Sequence, residues 1–334
     1  MGRLLPQLSI VIPALRAPAA LETTLVSVLQ NRPDDCEIVV LVDRAFDDPY
    51  DLAGEVRFVA LPDATSLGAE LARGLEVARG SVVNVLTAGV EVEEGWADAA
   101  LAHFCDNRVA AVAPLVLAAR DVEHVCSGGL EYTVGGARRR RAAPQAATDV
   151  LGPTLYAGFY RRDVLAALPA PFDDRVTAGL LDVDLALQIR AAGYRAVVEP
   201  RSLVYRADAR LPETAPFAAA RGAERVFWRN APSVGWLRSV AAHGLTVARD
   251  VLAPGSPSQF AARLLGRIVG CCEWLAYRRH HQALAAMGKP GLAYTVTSTG
   301  DNLRIDAAHP RSHGAAKAPR TADFRRDGGS EQAA

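Results

Sequence analysis

The feature that most constrains the fold of this chain is a regular alternation of apolar runs with helix-like segments between residues 8 and 117. The apolar, often β-branched runs lie at residues 8–12, 37–42, 56–61, 81–86 and 109–117. Helical spacing follows Pro18, recurs at residues 66–79, where Gly80 would end the helix, and again at 96–105. This alternation predicts a largely parallel α/β sheet that binds ligands at the carboxyl ends of its strands.

Two of these runs end on residues that suit a binding site. The first stops at Pro13, which turns the chain out of a strand, and the second closes on Asp43. Asp43 could accept N–H donors from a ligand, or it could start a turn with Asp47 and Asp48. Both interpretations of Asp43 remain open at this point.

Composition narrows the class of protein. Half of the 334 residues are apolar, so the chain can bury a sizeable core. Lysine plus arginine equals aspartate plus glutamate at 37 each, so no overall field attracts nucleic acid. Four arginines at residues 138–141 lack interleaved aromatics, which argues against nucleic-acid readout. They indicate either a solvated loop or a site for a phosphate-bearing acceptor or an anionic lipid surface.

Location is read from the cysteines and the N-terminus. The five cysteines form no CxxC pair and have no histidine at metal spacing, which predicts reduced thiols in a cytoplasmic protein. No secretory leader is recognisable, and no stretch approaches the roughly 20 apolar residues that span a bilayer. We expect a cytoplasmic protein, with peripheral association at the inner face of the cell membrane as an open alternative.

The second half of the chain predicts two further segments. From residue 215 the pattern is helical, and Phe260, Leu264, Ile268, Cys272 and Leu275 form an apolar stripe. The stripe could face the core or a partner. After Gly288, residues rich in Gly, Ala, Ser, Arg and Asp show no periodicity. We therefore expect a main domain at 1–214, a helical extension at 215–288 and a disordered tail at 289–334.

Seven short segments occur in an order that resembles family 2 inverting glycosyltransferases with the GT-A fold. They are residues 10–14, 25–30, 37–43, 78–80, 95–96, 160–162, and 172–174 together with 181–185. Each segment alone is common in α/β proteins, whereas their shared order is specific. The resemblance covers residues 8–205 and implies a GT-A-type α/β fold, a mostly parallel central sheet flanked by helices, followed by a C-terminal helical appendage.

The resemblance also implies a nucleotide-sugar donor and a saccharide or glycolipid acceptor, in a process such as polysaccharide biosynthesis. The donor-binding positions would be Pro13, Ala14, Arg16, Asp43, Thr87, Gly89 and Arg206. Asp182 falls on the position of the catalytic base, and Asp184 would lie on the acceptor side. Asp182 could instead cap its helix, for about 1 kcal/mol. Two residues apart on a helix, the carboxylates point about 200° apart and cannot share one face.

Several polar residues of the family are missing. Thr87-Ala88-Gly89 replaces the acidic motif that holds a divalent cation against the diphosphate. Other departures are Arg16 for asparagine, Val42 for aspartate, Leu71-Ala72 for an arginine-asparagine pair, Leu181 for glutamate and Arg206 for histidine. We assign no metal ligand, while Mn²⁺ or Mg²⁺ stays open as a cofactor. Arg16 and Arg206 are either a metal-free diphosphate clamp or solvated surface charges.

Three functions follow from these observations. The first is inverting sugar transfer, metal-independent or with unusual ligands. The second is a catalytically inactive relative that acts as a ligand-binding or protein-interaction module. The third, nucleotidyl transfer, would need a glycine-rich phosphate loop near the N-terminus, and residues 13–17 do not supply one. Oligomeric state and the identity of the sugar are left open by the sequence.

Overall fold

The computed structural model describes eleven stretches of the chain. They are residues 7–14, 17–43, 46–49, 51–62, 65–119, 121–141, 146–207, 210–230, 235–287, 294–299 and 302–307. The strands are β1 Leu8–Pro13, β2 Cys36–Asp43, β3 Val56–Leu61, β4 Val82–Leu86, β5 Val90–Val92, β6 Val109–Ala118, β7 Asp121–Ser127, β8 Leu130–Tyr132, β9 Arg138–Arg140, β10 Thr148–Val150, β11 Ala157–Arg161, β12 Arg195–Arg206, β13 Tyr294–Thr299 and β14 Asn302–Ala307. The α-helices are α1 Pro18–Asn31, α2 Leu67–Val77, α3 Trp96–Leu101, α4 Arg162–Ala167, α5 Leu181–Ala191, α6 Pro216–Arg229, α7 Trp236–Val251, α8 Pro257–Cys272 and α9 Trp274–Ala286.

The main sheet has the order β10-β12-β6-β11-β4-β1-β2-β3, with β5 added to β12 and β7 to β6. Strands β3, β2, β1 and β4 run parallel, as do β6 and β12, and β11 lies antiparallel between β4 and β6. The predicted α/β class with a mostly parallel sheet and trailing helices is therefore confirmed.

Hydrophobic content explains why β1 is an interior strand of the sheet, between β4 and β2. All six of its residues are buried, as expected for a parallel strand covered on both faces. Ile10 and Ile12 pack into the cluster around Trp96 and Phe159, whose rings lie 5.0 Å apart. Val11 points to the opposite face. Apolar side chains thus cover both faces of the sheet. A ligand reaches such a sheet at the ends of its strands.

Helix α2 begins as predicted, but Gly80 is not the residue that ends it. The Ser66 side chain accepts a hydrogen bond from the Ala69 N–H at 3.2 Å, which caps the first turn. The helix ends at Val77, before the predicted stop at Gly80. A Cβ on Gly80 would lie 2.5 Å from the Ser9 nitrogen, so this glycine is required by close backbone approach to β1.

The arginine run is not a solvated loop. Arg138–Arg140 form β9, which pairs antiparallel with β8. Only Arg139 and Arg140 are largely exposed, whereas Arg138 is half-buried against α5. Strand β11, which follows this region, is hydrogen-bonded to both β4 and β6.

The region predicted as a helical extension consists of α6 to α9. Among the described residues, no helix is long and apolar enough to cross a membrane. Within 289–334, the structure describes one antiparallel pair, β13 with β14. The remainder of this predicted tail, residues 289–293, 300–301 and 308–334, lies outside the described residues.

Candidate functional site

The carboxyl ends of β1, β2 and β4 meet at one edge of the sheet. In the parallel register Pro13 pairs with Leu41, and the Ala14 N–H donates to the Leu41 carbonyl at 3.0 Å. Pro13 is buried and Ala14 is almost so, which makes them the floor of this edge. Arg16, the next predicted donor-binding residue, lies outside the described residues.

Asp43 ends β2 at the same edge. Its carbonyl accepts the Phe46 N–H at 3.2 Å, so it does begin a turn. Its side chain is half-buried, and its carboxylate has no hydrogen-bond or ion-pair partner in the part of the chain that the structure describes. A carboxylate held at a strand end without a protein donor is available to accept hydrogen bonds from a ligand.

The turn that replaces the acidic motif has its polar groups directed into the protein. The Thr87 hydroxyl donates to the Leu155 carbonyl at 2.6 Å, and the Thr87 N–H donates to the Tyr156 carbonyl at 3.0 Å. Gly89 adopts a φ of 88°, and its N–H donates to the Thr24 hydroxyl at 2.8 Å. The turn is therefore a buried joint between β4, α1 and residues 155–156.

A divalent cation does not fit this turn. Thr87, Ala88 and Gly89 offer no carboxylate, and the one hydroxyl already serves as a donor to Leu155. Across the described stretches, no group of three or more His, Cys, Asp or Glu side chains could hold a metal ion. We therefore derive no chemical step through a metal at this position.

Arg206 is the last residue of β12 and stands over an aromatic ring. Its guanidinium carbon lies 5.3 Å from the centroid of the Tyr156 ring, and Nη1 donates to the Tyr156 hydroxyl at 3.3 Å. No carboxylate pairs with it among the described residues. A guanidinium oriented by a ring but not neutralised by an acid can bind an anion bidentately.

Asp182 lies in the first turn of α5, with a side chain that is fully buried. Arg138 donates to both of its oxygens, at 3.1 and 2.5 Å, and the N–H groups of Val183 and Leu155 donate at 2.8 and 3.4 Å. Burial would lower the pKa of Arg138, but the hydrogen bonds and charge of Asp182 outweigh it and raise that pKa. This carboxylate is thus fully hydrogen-bonded, and it can accept a proton only after Arg138 moves.

Leu155 and Tyr156 join the predicted residues into one group. Leu155 accepts from Thr87 with its carbonyl and donates to Asp182 with its N–H. Tyr156 accepts from Thr87 with its carbonyl and carries Arg206 on its ring. The structure therefore brings Thr87, Asp182 and Arg206 together. We call Arg138, Asp182, Leu155, Tyr156 and Arg206 the Asp182–Arg206 cluster.

Three members of this cluster were missed by sequence reasoning: Arg138, Tyr156 and Leu155, the last of which takes part through its backbone alone. Arg138 was interpreted only as part of a charged run, although it is the member of that run that pairs with a buried carboxylate. Tyr156 lies in a Gly- and Pro-containing stretch without periodicity, which carried no signal. Both contacts join residues far apart in the chain, and a local pattern does not encode such pairs.

Asp184 faces the other side of α5. Its carboxylate accepts from the Gln188 side chain at 2.8 Å and lies 3.1 Å from Nε of Arg229. Burial raises the pKa of Asp184, although Arg229 and Asn230 oppose that rise. Asp182 and Asp184 therefore point to different sides of α5, as expected. Because Asp184 is paired with Arg229 there, it would influence an acceptor only by holding α5 in place.

Comparisons with known proteins agree with this fold. Residues 9–168 match the model of glycosyl transferase family 2, somewhat under half of the chain. No curated protein matches. The solved structure of GalNAc-T7 with UDP, GalNAc and Mn²⁺ aligns with a TM-score of 0.58 and 17% identity over 92% of this chain. This chain spans 66% of that structure's length.

A second solved structure is the mannosyltransferase PcManGT from Pyrobaculum calidifontis in complex with GDP-Man and Mn²⁺, at a TM-score of 0.48 and 18% identity, covering 85% of each chain. The likeness to the first structure shows the fold alone, and the likeness to the second, at a TM-score below 0.5, carries no argument. The GT-A-type fold expected from the sequence is confirmed. The chain therefore has the α/β fold of GT-A glycosyltransferases and contains, at residues 9–168, a segment similar to glycosyl transferase family 2.

Proposed function

We propose that this protein transfers a sugar, with inversion, from a nucleoside diphosphate sugar to a hydroxyl group of a saccharide or glycolipid. The observation that carries the proposal is the Asp182–Arg206 cluster, where a carboxylate and an un-neutralised guanidinium are held by two adjacent residues: Asp182 accepts from the Leu155 N–H, and Arg206 stands over the Tyr156 ring. The cluster adjoins the carboxyl edge of the sheet, in a chain whose residues 9–168 match family 2.

The donor would lie across the ends of β1, β2 and β4. Asp43 would accept hydrogen bonds from the nucleobase, and Arg206 would bind the diphosphate oxygens. The leaving nucleoside diphosphate gains negative charge in the transition state, and a guanidinium placed there stabilises that charge. Because the turn at Thr87 offers no carboxylate ligand, we propose that this clamp works without a divalent cation in that turn.

The acceptor hydroxyl would attack the anomeric carbon as the bond from that carbon to the diphosphate oxygen breaks. The hydroxyl proton would pass to the carboxylate of Asp182, which acts as general base. In the structure Arg138 occupies both oxygens of that carboxylate. We propose that the incoming diphosphate draws Arg138 away, so that donor binding frees the base and adds a second cation to the clamp.

A second candidate is a binding module without turnover. The observation that favours it is that four donors already occupy Asp182, while the hydroxyl of Thr87 and the N–H of Gly89 are directed inward. Such a site could bind a nucleotide sugar without transferring the sugar to an acceptor.

The test compares Asp182→Asn with Asp184→Asn. Both residues are buried, ion-paired carboxylates in α5, so both substitutions should lower the melting temperature. We expect only Asp182→Asn to lower the rate of donor turnover, by about 100-fold or more, while the donor Kd changes little. Full turnover in Asp182→Asn would exclude this residue as the base. Donor binding without turnover in the unmodified protein would establish the second candidate instead.

A further inference from the structure

Helix α7 turns two polar side chains, those of Ser239 and His243, toward the protein. The Ser239 hydroxyl donates to the Val134 carbonyl at 2.8 Å, and His243 contacts the Gly135 carbonyl at 2.9 Å and Glu224 at 3.0 Å through its two ring nitrogens. The opposite face carries leucines. Leu237 and Leu245 on the helix, and Leu252 directly after its last residue, recur at spacings of eight and seven residues and are 68%, 53% and 74% exposed.

Helix α8 has the same reversed polarity. Its inward residues are Gly266, Arg267 and Gly270, and Arg267 pairs with Glu224 at 3.0 Å and Asp250 at 2.6 Å. Three residues of the apolar stripe noted in the sequence face outward on this helix, together with Leu265. These residues are Phe260, Leu264, Leu265 and Ile268, and they are 43%, 40%, 55% and 52% exposed. The helices are thus held to the protein by buried ion pairs, while their large apolar side chains face outward.

We call Leu237, Leu245, Leu252, Phe260, Leu264, Leu265 and Ile268 the α7–α8 apolar face. A helix on the surface of a globular protein ordinarily has the opposite arrangement, with its apolar stripe against the core. Large exposed apolar patches of this kind mark sites for another protein or for a membrane. Among the described residues, the inward sides of both helices already make the contacts given above. The α7–α8 apolar face is therefore not the side by which these helices pack on the core.

Charge distinguishes between these two kinds of partner. Residues 235–287 contain six arginines and two acidic residues, whereas the whole chain is neutral. Both acids are already paired with arginines of the protein, Asp250 with Arg267 and Glu273 with Arg225. Arg249, which lies on α7, and Arg278 and Arg279, which lie on α9, are exposed. Arg249 lies four residues after Leu245 and three before Leu252, so it borders the α7–α8 apolar face, and no acid pairs with it among the described residues. An apolar face with an exposed arginine, in a segment of net positive charge, is complementary to an anionic lipid surface.

We propose that α7 and α8 lie in the interface of an anionic phospholipid membrane, with the α7–α8 apolar face at the acyl boundary. Each helix has 16 residues, a length of about 24 Å, and would lie parallel to the surface and not across the bilayer. Trp236, which is 56% exposed at the start of α7, would sit at the headgroup level. This inference does not depend on sugar transfer.

The test is sedimentation of the full chain with vesicles of phosphatidylcholine alone and of phosphatidylcholine mixed with phosphatidylglycerol. We expect binding to the anionic vesicles, weakened about tenfold or more by Leu245→Asp or Ile268→Asp. Arg249→Gln should weaken it about fivefold. The matched control is Val26→Asp, because Val26 is also exposed but lies on α1, and this variant should bind like the unmodified protein. Trp236 fluorescence should shift to shorter wavelength on binding, and the shift should vanish in Trp236→Phe.

Three results would overturn the proposal. The first is an absence of binding to anionic vesicles by a protein whose melting curve shows it to be folded. The second is binding that Arg249→Gln weakens but Leu245→Asp does not, which would show attraction without insertion of the apolar face. The third is a dimer in solution that Leu245→Asp dissociates, with no vesicle binding, which would assign the face to a second copy of the chain.

Discussion

Replacing Arg138 by glutamine tests the buried ion pair on which the site is built. Arg138 makes two hydrogen bonds to Asp182, whose side chain is fully buried, and is itself only 19% exposed. Arg138→Gln leaves the carboxylate with two backbone N–H donors and no compensating charge. Removing one partner of a buried pair typically costs about 3–5 kcal/mol, because the remaining charge stays out of water.

The assay is equilibrium unfolding in urea, followed by circular dichroism. The double variant Arg138→Gln with Asp182→Asn removes both charges, and it should cost about 2 kcal/mol less than the sum of the two single variants. The matched control is Arg140→Gln on the same strand, where the side chain is exposed, and it should change the free energy of unfolding by less than about 0.5 kcal/mol. A cost below about 1 kcal/mol for Arg138→Gln, or strict additivity in the double variant, would refute this reasoning.

Two further predictions concern stability elsewhere. Burial would raise the pKa of Glu224, but His243 and Arg267 outweigh it and lower that pKa from 4.5 to about 2. At a pH above the pKa of the unfolded state, this ionised carboxylate therefore contributes about 3 kcal/mol to the free energy of unfolding. That contribution is lost as the pH falls from about 5 to about 2. Urea unfolding across that range should show less pH dependence in Glu224→Gln, and an unchanged profile would contradict the assignment. Gly89→Ala should lower the free energy of unfolding by about 1–2 kcal/mol, because a φ of 88° at this position is unfavourable for a residue with a Cβ. The measurement is the melting temperature, and a value equal to that of the unmodified protein would contradict this prediction.

The local pattern of the chain predicts the parallel part of the sheet well. The run at 56–61 coincides with β3, and the runs ending at Pro13 and Asp43 end within the bounds of β1 and β2. Each of these strands is a mostly apolar run, interrupted only by Ser9, Glu37 or Arg57 and followed by polar or turn residues, so its type and its limits can be read from the sequence. The convergence of their carboxyl ends then follows from the parallel topology alone.

Contacts between distant segments could not be predicted in this way. Arg138 and Asp182 are 44 residues apart, and β11 takes its place between β4 and β6 only through long-range pairing. The apolar stripe of α8 was visible, but its direction was not. That direction depends on Arg267, which faces inward because Glu224 and Asp250 are there to pair with it.

The most direct test of the central claim is thermal stabilisation of the purified protein by UDP- and GDP-linked sugars in the presence of a chelator. A donor at 100 times its Kd should stabilise the protein by about 2.7 kcal/mol. Arg206→Gln should weaken donor binding about tenfold or more, because it removes charged hydrogen bonds to phosphate. Arg57→Gln, near the amino end of β3 and hence at the opposite edge of the sheet, is the control and should bind normally. No stabilisation by any nucleotide sugar, or equal stabilisation of Arg206→Gln, would contradict the account.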